Sequence, residues 1–230
     1  MAYNREEVKT MIVSDRKLLT GSRSTAFLDV KSLYSMIPRE KRMHMHRVSL
    51  YAQALFLESK KQGLWDEEFP ENILDYSEKI FELHDIGRYY ISSELHNKVE
   101  ALSEEELAEI KRHTIYALKV QESVYMPILP KEMLPYFRGV ATMHHERYDG
   151  KGYPYGKRGK AIPLMARVCA IADAYDGMVS WKTYREALSR EQAFEVLKKE
   201  AGTQFQPELV ECFLSITEQI EKIDLAVNNR

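Results

Sequence analysis

Apolar residues recur at intervals of three and four positions along most of this chain, which is the spacing of one buried face of an α-helix. Alternation of apolar and polar residues, the pattern of a half-buried strand, is scarce. The apolar stripes comprise Val48, Tyr51, Ala52 and Leu55; Ile73, Tyr76, Ile80 and Phe81; Leu107 and Ile110; Leu134, Phe137, Val140 and Ala141; Leu164, Val168 and Ile171; and, in one helix opened by Pro207, Leu209, Phe213, Ile216, Ile220 and Ile223. The sequence therefore predicts an all-α helical bundle.

A glycine-rich segment, residues 146–162, interrupts this helical pattern in the middle of the chain. It contains five basic residues and two acidic ones, so it could steer an anionic ligand or could simply be solvated. We expect a loop inserted into a single domain over residues 41–225, preceded by a short N-terminal appendage over residues 1–40.

The composition excludes several classes of protein. The 230 residues include 33 Lys and Arg against 35 Asp and Glu, a balance that argues against a binder of nucleic acid polymers. No apolar run approaches the roughly 18 residues of a membrane span, and the first residues lack the features of a signal peptide. Cys169 and Cys212 lie in apolar helical patterns, so we expect reduced thiols and a cytoplasmic location. The oligomeric state stays open.

Several histidines and aspartates stand where the apolar stripes predict buried positions. His84 continues the stripe that ends at Phe81, and His144 continues the stripe that ends at Ala141. Taken alone, each such histidine is more often a hydrogen-bonded core residue than a ligand. Together they are costly to bury unless divalent cations bind them. The candidates are His46, His84, Asp85, His113, His144, His145 and Asp173.

This set of residue types favours a centre of two metals. Imidazole and carboxylate ligands without thiolate suit Fe, Mn, Zn, Co or Ni. Seven candidate ligands exceed the need of one ion, so two ions that share a bridging carboxylate fit better.

Two longer motifs resemble the HD-GYP family, a branch of the HD metal-dependent phosphohydrolases that is associated with hydrolysis of cyclic di-GMP in bacteria. Residues 84–87 are His-Asp-Ile-Gly, and residues 144–154 are His-His-Glu-Arg-Tyr-Asp-Gly-Lys-Gly-Tyr-Pro. Shorter matches follow at Ala172-Asp173, at Tyr184-Arg185 and at residues 204–207, so the resemblance covers the chain from about His46 to Leu214. It implies an HD-type helical bundle with a dinuclear metal phosphodiesterase activity.

The resemblance also implies a role for each candidate ligand. The first metal would be bound by His46, His84, Asp85 and Asp173, and the second by Asp85, His113, His144 and His145. Asp85 would bridge the two ions together with a hydroxide that attacks phosphorus. His44 lies two residues away from the face of His46, so we treat it as a non-ligand.

The number and kind of ions follow from the same resemblance. Some relatives bind a third ion through a carboxylate one helical turn before the first histidine. Arg42 stands one turn before His46 and would repel a cation. We therefore expect two divalent ions, above all Fe or Mn, with Zn, Co or Ni as alternatives.

Other positions depart from the family pattern. Arg88 replaces the usual lysine after His-Asp-Ile-Gly, so we expect it to stabilise charge on the substrate and not to act as an acid. Lys182 and Arg185 belong to Lys-Thr-Tyr-Arg, where relatives have Arg-Pro-Tyr-Arg, and we expect both to bind substrate. Gly152-Tyr153-Pro154 would either contact diguanylate cyclase domains or form a structural turn.

Three functions remain compatible with the sequence. The leading hypothesis is a phosphodiesterase that hydrolyses cyclic di-GMP. The first alternative is a phosphohydrolase for another cyclic dinucleotide or a nucleotide, because a fold does not fix its substrate. The second is a catalytically weak adaptor that binds a nucleotide or a cyclase. A pure binding module has no need of a complete set of metal ligands, which favours the enzyme.

Overall fold

The structure, a computed structural model, describes residues 29–96, 98, 100–180 and 186–228, and helices dominate these ranges. Within them the extended pairings are two isolated bridges. The prediction of an all-α bundle is confirmed. The α-helices are α1 Val30–Met36, α2 Arg39–Lys61, α3 Ile73–Glu82, α4 Ser93–His96, α5 Glu104–Lys111, α6 His113–Ser123, α7 Leu134–Met143, α8 Leu164–Val179, α9 Arg190–Lys199, α10 Pro207–Ser215 and α11 Thr217–Asn228, with 3-10 turns at Ile86–Tyr90, Lys131–Met133 and Gly159–Ala161.

The long helix α2 lies at the centre of the fold. It packs against α3, α8, α10 and α11. Its stripe of Val48, Ala52 and Leu55 is fully buried, as the helical spacing predicted. Burial of such side chains is the main favourable contribution to folding, so this stripe fixes how α2 is rotated against its neighbours.

Two of the predicted helical stripes differ from the structure. Helix α5 has no buried residue, and Leu107 is 43% exposed, so two apolar residues alone were too few to predict burial. The expectation of one continuous helix after Pro207 is wrong, because α10 ends at Ser215 and α11 begins at Thr217. Ile216 leaves the helical range with φ −103° and ψ 27°, and the resulting bend keeps Ile220 buried against the bundle.

A close contact of two backbones brings separate helices to the same place. The 3-10 turn Ile86–Tyr90 packs on α6. A Cβ at Gly87 would lie 2.0 Å from the carbonyl oxygen of His113 and 2.7 Å from the amide nitrogen of Ala117. Only glycine permits this approach, which sets the residues before Gly87 beside the first residue of α6.

The predicted N-terminal appendage falls mostly outside the described residues, since these start at residue 29. Within its described part, Val30 and Leu33 are fully buried in the core, and the Val30 amide donates to the Tyr125 carbonyl. The division at residue 40 stays a prediction. Among the described helices, none combines the length and the apolar character that crossing a membrane requires.

Candidate metal centre

Seven side chains with nitrogen or carboxylate ligand atoms converge in two adjacent groups. The Asp85 group contains Asp85, His113, His144 and His145, and the Asp173 group contains His44, His84 and Asp173. Within each group, one ligand atom from each residue lies within 4.8 Å of the others. Bonds of about 2.0–2.2 Å to a single ion would place opposite ligand atoms about 4 Å apart. Each group is therefore close to the size that one ion requires.

Helix ends supply most of these side chains. His84 and Asp85 follow the C-terminus of α3, His113 begins α6, and His144 and His145 follow the C-terminus of α7. The remaining two, His44 and Asp173, project from within helices α2 and α8. The packing of these helices, and not proximity along the chain, brings the site together.

Asp85 lies between the two groups with one carboxylate oxygen toward each. Its Oδ1 atom is 3.1 Å from His113 Nε2 and 3.7 Å from His144 Nε2. Its Oδ2 atom is 3.7 Å from His84 Nε2 and 3.8 Å from His44 Nε2. This arrangement is suited to a carboxylate that bridges two ions.

Backbone carbonyls orient three of the histidines. The Nδ1 atom of His84 lies 2.9 Å from the Phe81 carbonyl oxygen, that of His113 lies 2.7 Å from Ile110 O, and that of His144 lies 3.0 Å from Val140 O. A protonated Nδ1 that donates to a carbonyl leaves Nε2 as the lone-pair atom. All three rings therefore direct a possible ligand atom toward Asp85.

Side chains orient His44 instead. Its Nδ1 atom lies 2.7 Å from Asp176 Oδ2, and its Nε2 atom lies 3.1 Å from Asp173 Oδ1. The other oxygen of Asp173 is 3.9 Å from His145 Nδ1, so Asp173 also faces both groups.

The structure corrects one prediction about which histidine of α2 faces the site. We expected His46 to do so and treated His44 as a non-ligand. The side chain of His46 is 34% exposed and its Nδ1 atom lies 3.9 Å from Glu82 Oε1, while His44 belongs to the Asp173 group. The helical repeat explains the difference, since His44 precedes the buried Val48 by four residues, whereas His46 lies about 200° around the helix from Val48.

This correction also removes the argument from Arg42 about the number of ions. Arg42 was relevant because it precedes His46 by one helical turn. The residue one helical turn before His44 is Glu40, which is exposed. In the part of the chain that the structure describes, neither group of potential ligands includes Glu40. The expectation of two ions now depends on the two groups alone.

Unsatisfied polar atoms support metal binding by these groups. Among the described residues, His84 Nε2 and Asp85 Oδ1 are buried and have no hydrogen-bond partner. Burial of a polar atom without a partner is unfavourable by roughly 1–3 kcal/mol, and functional sites are where such atoms persist. One of these atoms belongs to each group, and a divalent cation bound at each group would satisfy it.

The pKa of His44 is shifted in the opposite direction to those of His84 and His113. Burial lowers the pKa of His84 to about 4 and also lowers the pKa of His113, so both rings are neutral and can donate a lone pair. Burial opposes protonation of His44 as well, but hydrogen bonds to Asp173 and Asp176 outweigh it and raise the pKa of His44 to about 9. Binding of a cation through His44 Nε2 therefore displaces a proton.

Carboxylate pKa values are lowered at both groups. Burial would raise the pKa of Asp85, but the charge of Arg88 and the neighbouring His113 and His84 hold it well below its ordinary value. Burial likewise opposes ionisation of Asp173, and the hydrogen bond and charge of His44 reverse that effect on its pKa. Both carboxylates are therefore charged and suited to bind cations.

A cationic and aromatic rim adjoins the Asp85 group. The Arg88 guanidinium donates from Nε to Asp85 Oδ2, which places a permanent positive charge beside the carboxylate. Tyr153 stacks on His145 with ring centroids 4.9 Å apart and an interplanar angle of 26°. The Lys111 ammonium lies 5.3 Å from the centroid of the Tyr153 ring. The ring of Tyr153 thus connects a candidate ligand to a lysine at the rim.

Glu146 is a residue whose role was missed from the sequence. It is buried, and its carboxylate accepts hydrogen bonds from the amides of Tyr155 and Lys157 at 2.7 and 3.0 Å. Gly152 lies so close to Glu146 that a Cβ would be 2.5 Å from the Glu146 Cα. Glu146 therefore holds the glycine-rich loop over the double histidine. Its position directly after His145 was the available signal.

The structure brings together six of the seven predicted ligands, namely His84, Asp85, His113, His144, His145 and Asp173. The substrate-binding predictions for Lys182 and Arg185 lie outside the described residues. Arg88 is at the site, as its place after Asp85 requires.

Comparison with known proteins agrees with the motifs. A family model described as HD domain matches residues 77–209, which is more than half of the 230 residues. A protein of Vibrio cholerae named cyclic di-GMP phosphodiesterase is 28% identical over 202 residues, which cover 88% of this chain and 41% of that protein. The cyclic di-GMP phosphodiesterase response regulator RpfG of Xanthomonas campestris is 36% identical over 141 residues, which cover 61% of this chain and 36% of that protein.

A third relative has a different named substrate. The 3'3'-cGAMP-specific phosphodiesterase 2 of Vibrio cholerae is 30% identical over 176 residues, which cover 76% of this chain and 31% of that protein. The chain thus spans less than half the length of these three relatives.

A solved structure shares the fold. Bd1817 of Bdellovibrio bacteriovorus, described as a HDG"Y"P protein, superposes with a TM-score of 0.54 at 19% sequence identity, over 94% of this chain and 65% of that chain. The helical architecture, the family model and the two histidine motifs agree with the resemblance seen in the sequence, which is confirmed. The chain therefore belongs to the HD domain family, in its HD-GYP branch.

Proposed function

We propose that this chain is a phosphodiesterase that hydrolyses cyclic di-GMP with the help of two divalent cations. The observation that carries the proposal is the position of Asp85, whose two carboxylate oxygens face two separate groups of potential ligands. A single bound ion would leave one of these groups without a cation. Two ions on a shared carboxylate match the composition of both groups.

The metal ligands that we propose are those of the two groups. One ion would be held by His44, His84 and Asp173, the other by His113, His144 and His145, and Asp85 would contact both. When bound, the ions would supply an activated water as nucleophile and would neutralise negative charge on the phosphodiester. We propose Fe or Mn first and Zn, Co or Ni as alternatives, since imidazole and carboxylate ligands suit all five.

The chain's own residues contribute charge and orientation. Arg88 is always protonated at neutral pH, so it can stabilise the negative charge that develops on phosphate oxygens but cannot act as an acid. Its contact with Asp85 holds it at the site. Lys182 and Arg185, which stay predictions, would bind the phosphates or bases of the substrate.

The choice of cyclic di-GMP rests on relatives. Two similar proteins are named for cyclic di-GMP, and a third is named for 3'3'-cGAMP, at 28%, 36% and 30% identity. Both substrates carry the same pair of phosphodiesters, so the metal centre would treat them alike. Another cyclic dinucleotide is therefore the second candidate, and contacts to the bases would decide between them.

Binding to a cyclase through Gly152-Tyr153-Pro154 has less support. Pro154 is buried, and the ring of Tyr153 stacks on His145, so these two residues contribute to packing next to the metal centre. This favours a structural turn over a docking surface. A catalytically weak adaptor has no need of a complete set of metal ligands, and the two compact groups therefore favour the enzyme.

The test is metal analysis combined with product analysis. Anaerobically purified protein would be examined by mass spectrometry for metal content, then incubated with cyclic di-GMP or 3'3'-cGAMP in the presence of Mn²⁺ or Fe²⁺. We expect two ions per chain and cleavage of cyclic di-GMP. Chromatography of the product measures the cleavage. An Asp85→Asn variant, which keeps the shape of the side chain, serves as the control for contaminating activity.

The outcomes separate the candidates. If the protein binds two ions and cleaves 3'3'-cGAMP alone, then 3'3'-cGAMP and not cyclic di-GMP is the substrate. Two ions without cleavage of either dinucleotide would contradict the phosphodiesterase and favour a nucleotide-binding adaptor. Variants Lys182→Met and Arg185→Met should raise KM more than they lower kcat if these residues only bind substrate.

A further inference from the structure

His44 is held by side chains, whereas backbone carbonyls hold His84, His113 and His144. Its Nδ1 atom pairs with Asp176, a residue that is 1% exposed and belongs to neither group of potential ligands among the described residues. Asp176 lies three residues after Asp173 on α8, so both carboxylates project from the same face toward His44.

Arg47 holds Asp176 in turn. The Arg47 guanidinium donates from Nε to Asp176 Oδ1 at 2.5 Å and from Nη2 to Asp176 Oδ2 at 3.0 Å, a two-point contact. Nη2 also donates to Ser180 Oγ at 2.9 Å. Arg47 lies three residues after His44 on α2, so two residues of α2 and two of α8 form one connected set.

We propose that Asp176, held by Arg47, is a positioning residue for His44 and thereby sets the cation affinity of the Asp173 group without affecting that of the Asp85 group. This inference rests on the metal binding proposed above. A carboxylate that accepts the Nδ1 proton of a ligating histidine fixes its tautomer and ring orientation and makes the other nitrogen a stronger ligand. The histidines His113 and His144 depend on backbone carbonyls, which no side-chain substitution removes.

Charge balance explains why Arg47 pairs with Asp176. Asp176 is buried, and an unpaired buried carboxylate is costly. Arg47 neutralises it through a two-point contact and leaves Oδ2 oriented toward His44. The Asp173 group therefore gains the orienting effect of a carboxylate without a second uncompensated negative charge.

A purely structural role for Asp176 can be separated from a positioning role with a matched control. Asp224 also joins α2 to α8, since it accepts hydrogen bonds from Tyr51 of α2 at 2.6 Å and from Tyr175 of α8 at 2.9 Å. Both of its partners are tyrosine hydroxyls. Asp224→Asn therefore perturbs the same pair of helices without perturbing the orientation of a histidine.

The experiment is a titration of the metal-free full chain with Mn²⁺, with free Mn²⁺ followed by electron paramagnetic resonance. Wild type should show two sites. Asp176→Asn keeps the shape of the side chain but turns one oxygen into an NH2 group, which cannot accept from both His44 and Arg47. One site should weaken by about 10–100-fold and the other should keep its affinity. Arg47→Lys, which keeps the charge but loses the fork, should weaken the same site by less.

Each outcome of this titration supports or overturns the positioning role of Asp176. Unchanged affinity of both sites in Asp176→Asn overturns the positioning role, and so does an equal weakening in Asp224→Asn. Equal weakening of both sites in Asp176→Asn also overturns it. If wild type itself binds fewer than two ions, the metal centre of the proposed function fails and this inference fails with it. Circular dichroism of every variant shows whether the helices remain, and Arg47→Lys provides the test if Asp176→Asn does not fold.

Discussion

The two groups of proposed metal ligands differ in what holds them in place. In the Asp85 group, three of the four side chains are buried, and the two buried histidines are oriented by main-chain carbonyls. In the Asp173 group, two of the three side chains are partly exposed, and His44 is oriented by the side chain of Asp176. Backbone contacts therefore orient the buried histidines of the Asp85 group, whereas in the Asp173 group they orient His84 and the orientation of His44 depends on a side chain.

This difference gives the two groups separate physical properties. A ligand set that is buried and oriented by the backbone exchanges slowly with solvent and changes little on substitution of neighbours. A ligand set at a partly exposed helix face can be tuned by the residues around it. Asp85 connects both, since one of its oxygens faces the buried histidines of the Asp85 group and the other faces His84 and His44.

Removal of Asp85 should have the largest effect, because it breaks both halves at once. If the proposed function holds, Asp85→Ala should lose both ions and reduce hydrolysis of cyclic di-GMP by at least about 10³-fold, since two bound ions would supply several kcal/mol of transition-state stabilisation. Metal analysis and initial rates measure this, and circular dichroism should show intact helices. A variant that retains two ions would contradict the bridging role of Asp85.

Two substitutions on α2 should separate the Asp173 group from the Asp85 group. We expect His44→Ala to lose one ion and to reduce the rate by more than about 100-fold, because a direct ligand contributes more than a neighbour that only orients it. His46→Ala should retain both ions and nearly full activity, because His46 lies near Glu82 and outside both groups. The reverse result, with loss of an ion in His46→Ala alone, would contradict the assignment.

The helical repeat made much of this arrangement predictable from the sequence. The stripe of Val48, Ala52 and Leu55 marked the buried face of α2, and His84 and His144 continued two other stripes into the site. The same repeat also distinguishes His44 from His46. The family pattern was placed on His46, and the phase of the apolar stripe would have favoured His44.

The periodicity of the sequence could not predict contacts between distant segments. Asp176 meets His44 across two helices, 132 residues apart in the chain, and Glu146 finds its partners in the backbone of its own loop. Periodicity predicts which face of a helix is buried but not which residues of two helices meet, because packing of the whole bundle sets that register. The bend at Ile216 has the same origin.

Removal of metal by a chelator should distinguish the Asp85 group from the Asp173 group by the rate of metal release. The His44 and Asp173 side chains are 17% and 21% exposed, whereas in the Asp85 group the side chains of Asp85, His113 and His144 are at most 1% exposed and His145 is 23% exposed. We expect two phases of metal release, with the ion of the Asp173 group leaving about tenfold faster or more, because a chelator and water reach partly exposed ligands more readily. Release can be followed with a metal-sensitive dye, and His44→Ala should remove the fast phase alone. A single phase for wild type would contradict the contrast between the groups.

The smallest expected effect belongs to the rim beside the Asp85 group. Lys111 lies over Tyr153, which stacks on His145, so its charge is near the site but not among the ligands. We expect Lys111→Met to leave both ions bound and to raise KM about two- to fivefold, the size of a partly solvated charge interaction. Lys198→Met removes the same charge from a lysine that pairs with Glu195, and should change nothing.

Ionic strength sharpens the interpretation of that variant. If Lys111 attracts an anionic substrate, the difference in KM between Lys111→Met and wild type should shrink as salt rises, because exposed charges are screened. If Lys111 instead holds Tyr153 against His145, the variant should weaken the ion of the Asp85 group at every salt concentration. The second result would mean that the backbone-oriented half of the centre also depends on a side chain at its rim, and the contrast between the two groups would then be one of degree.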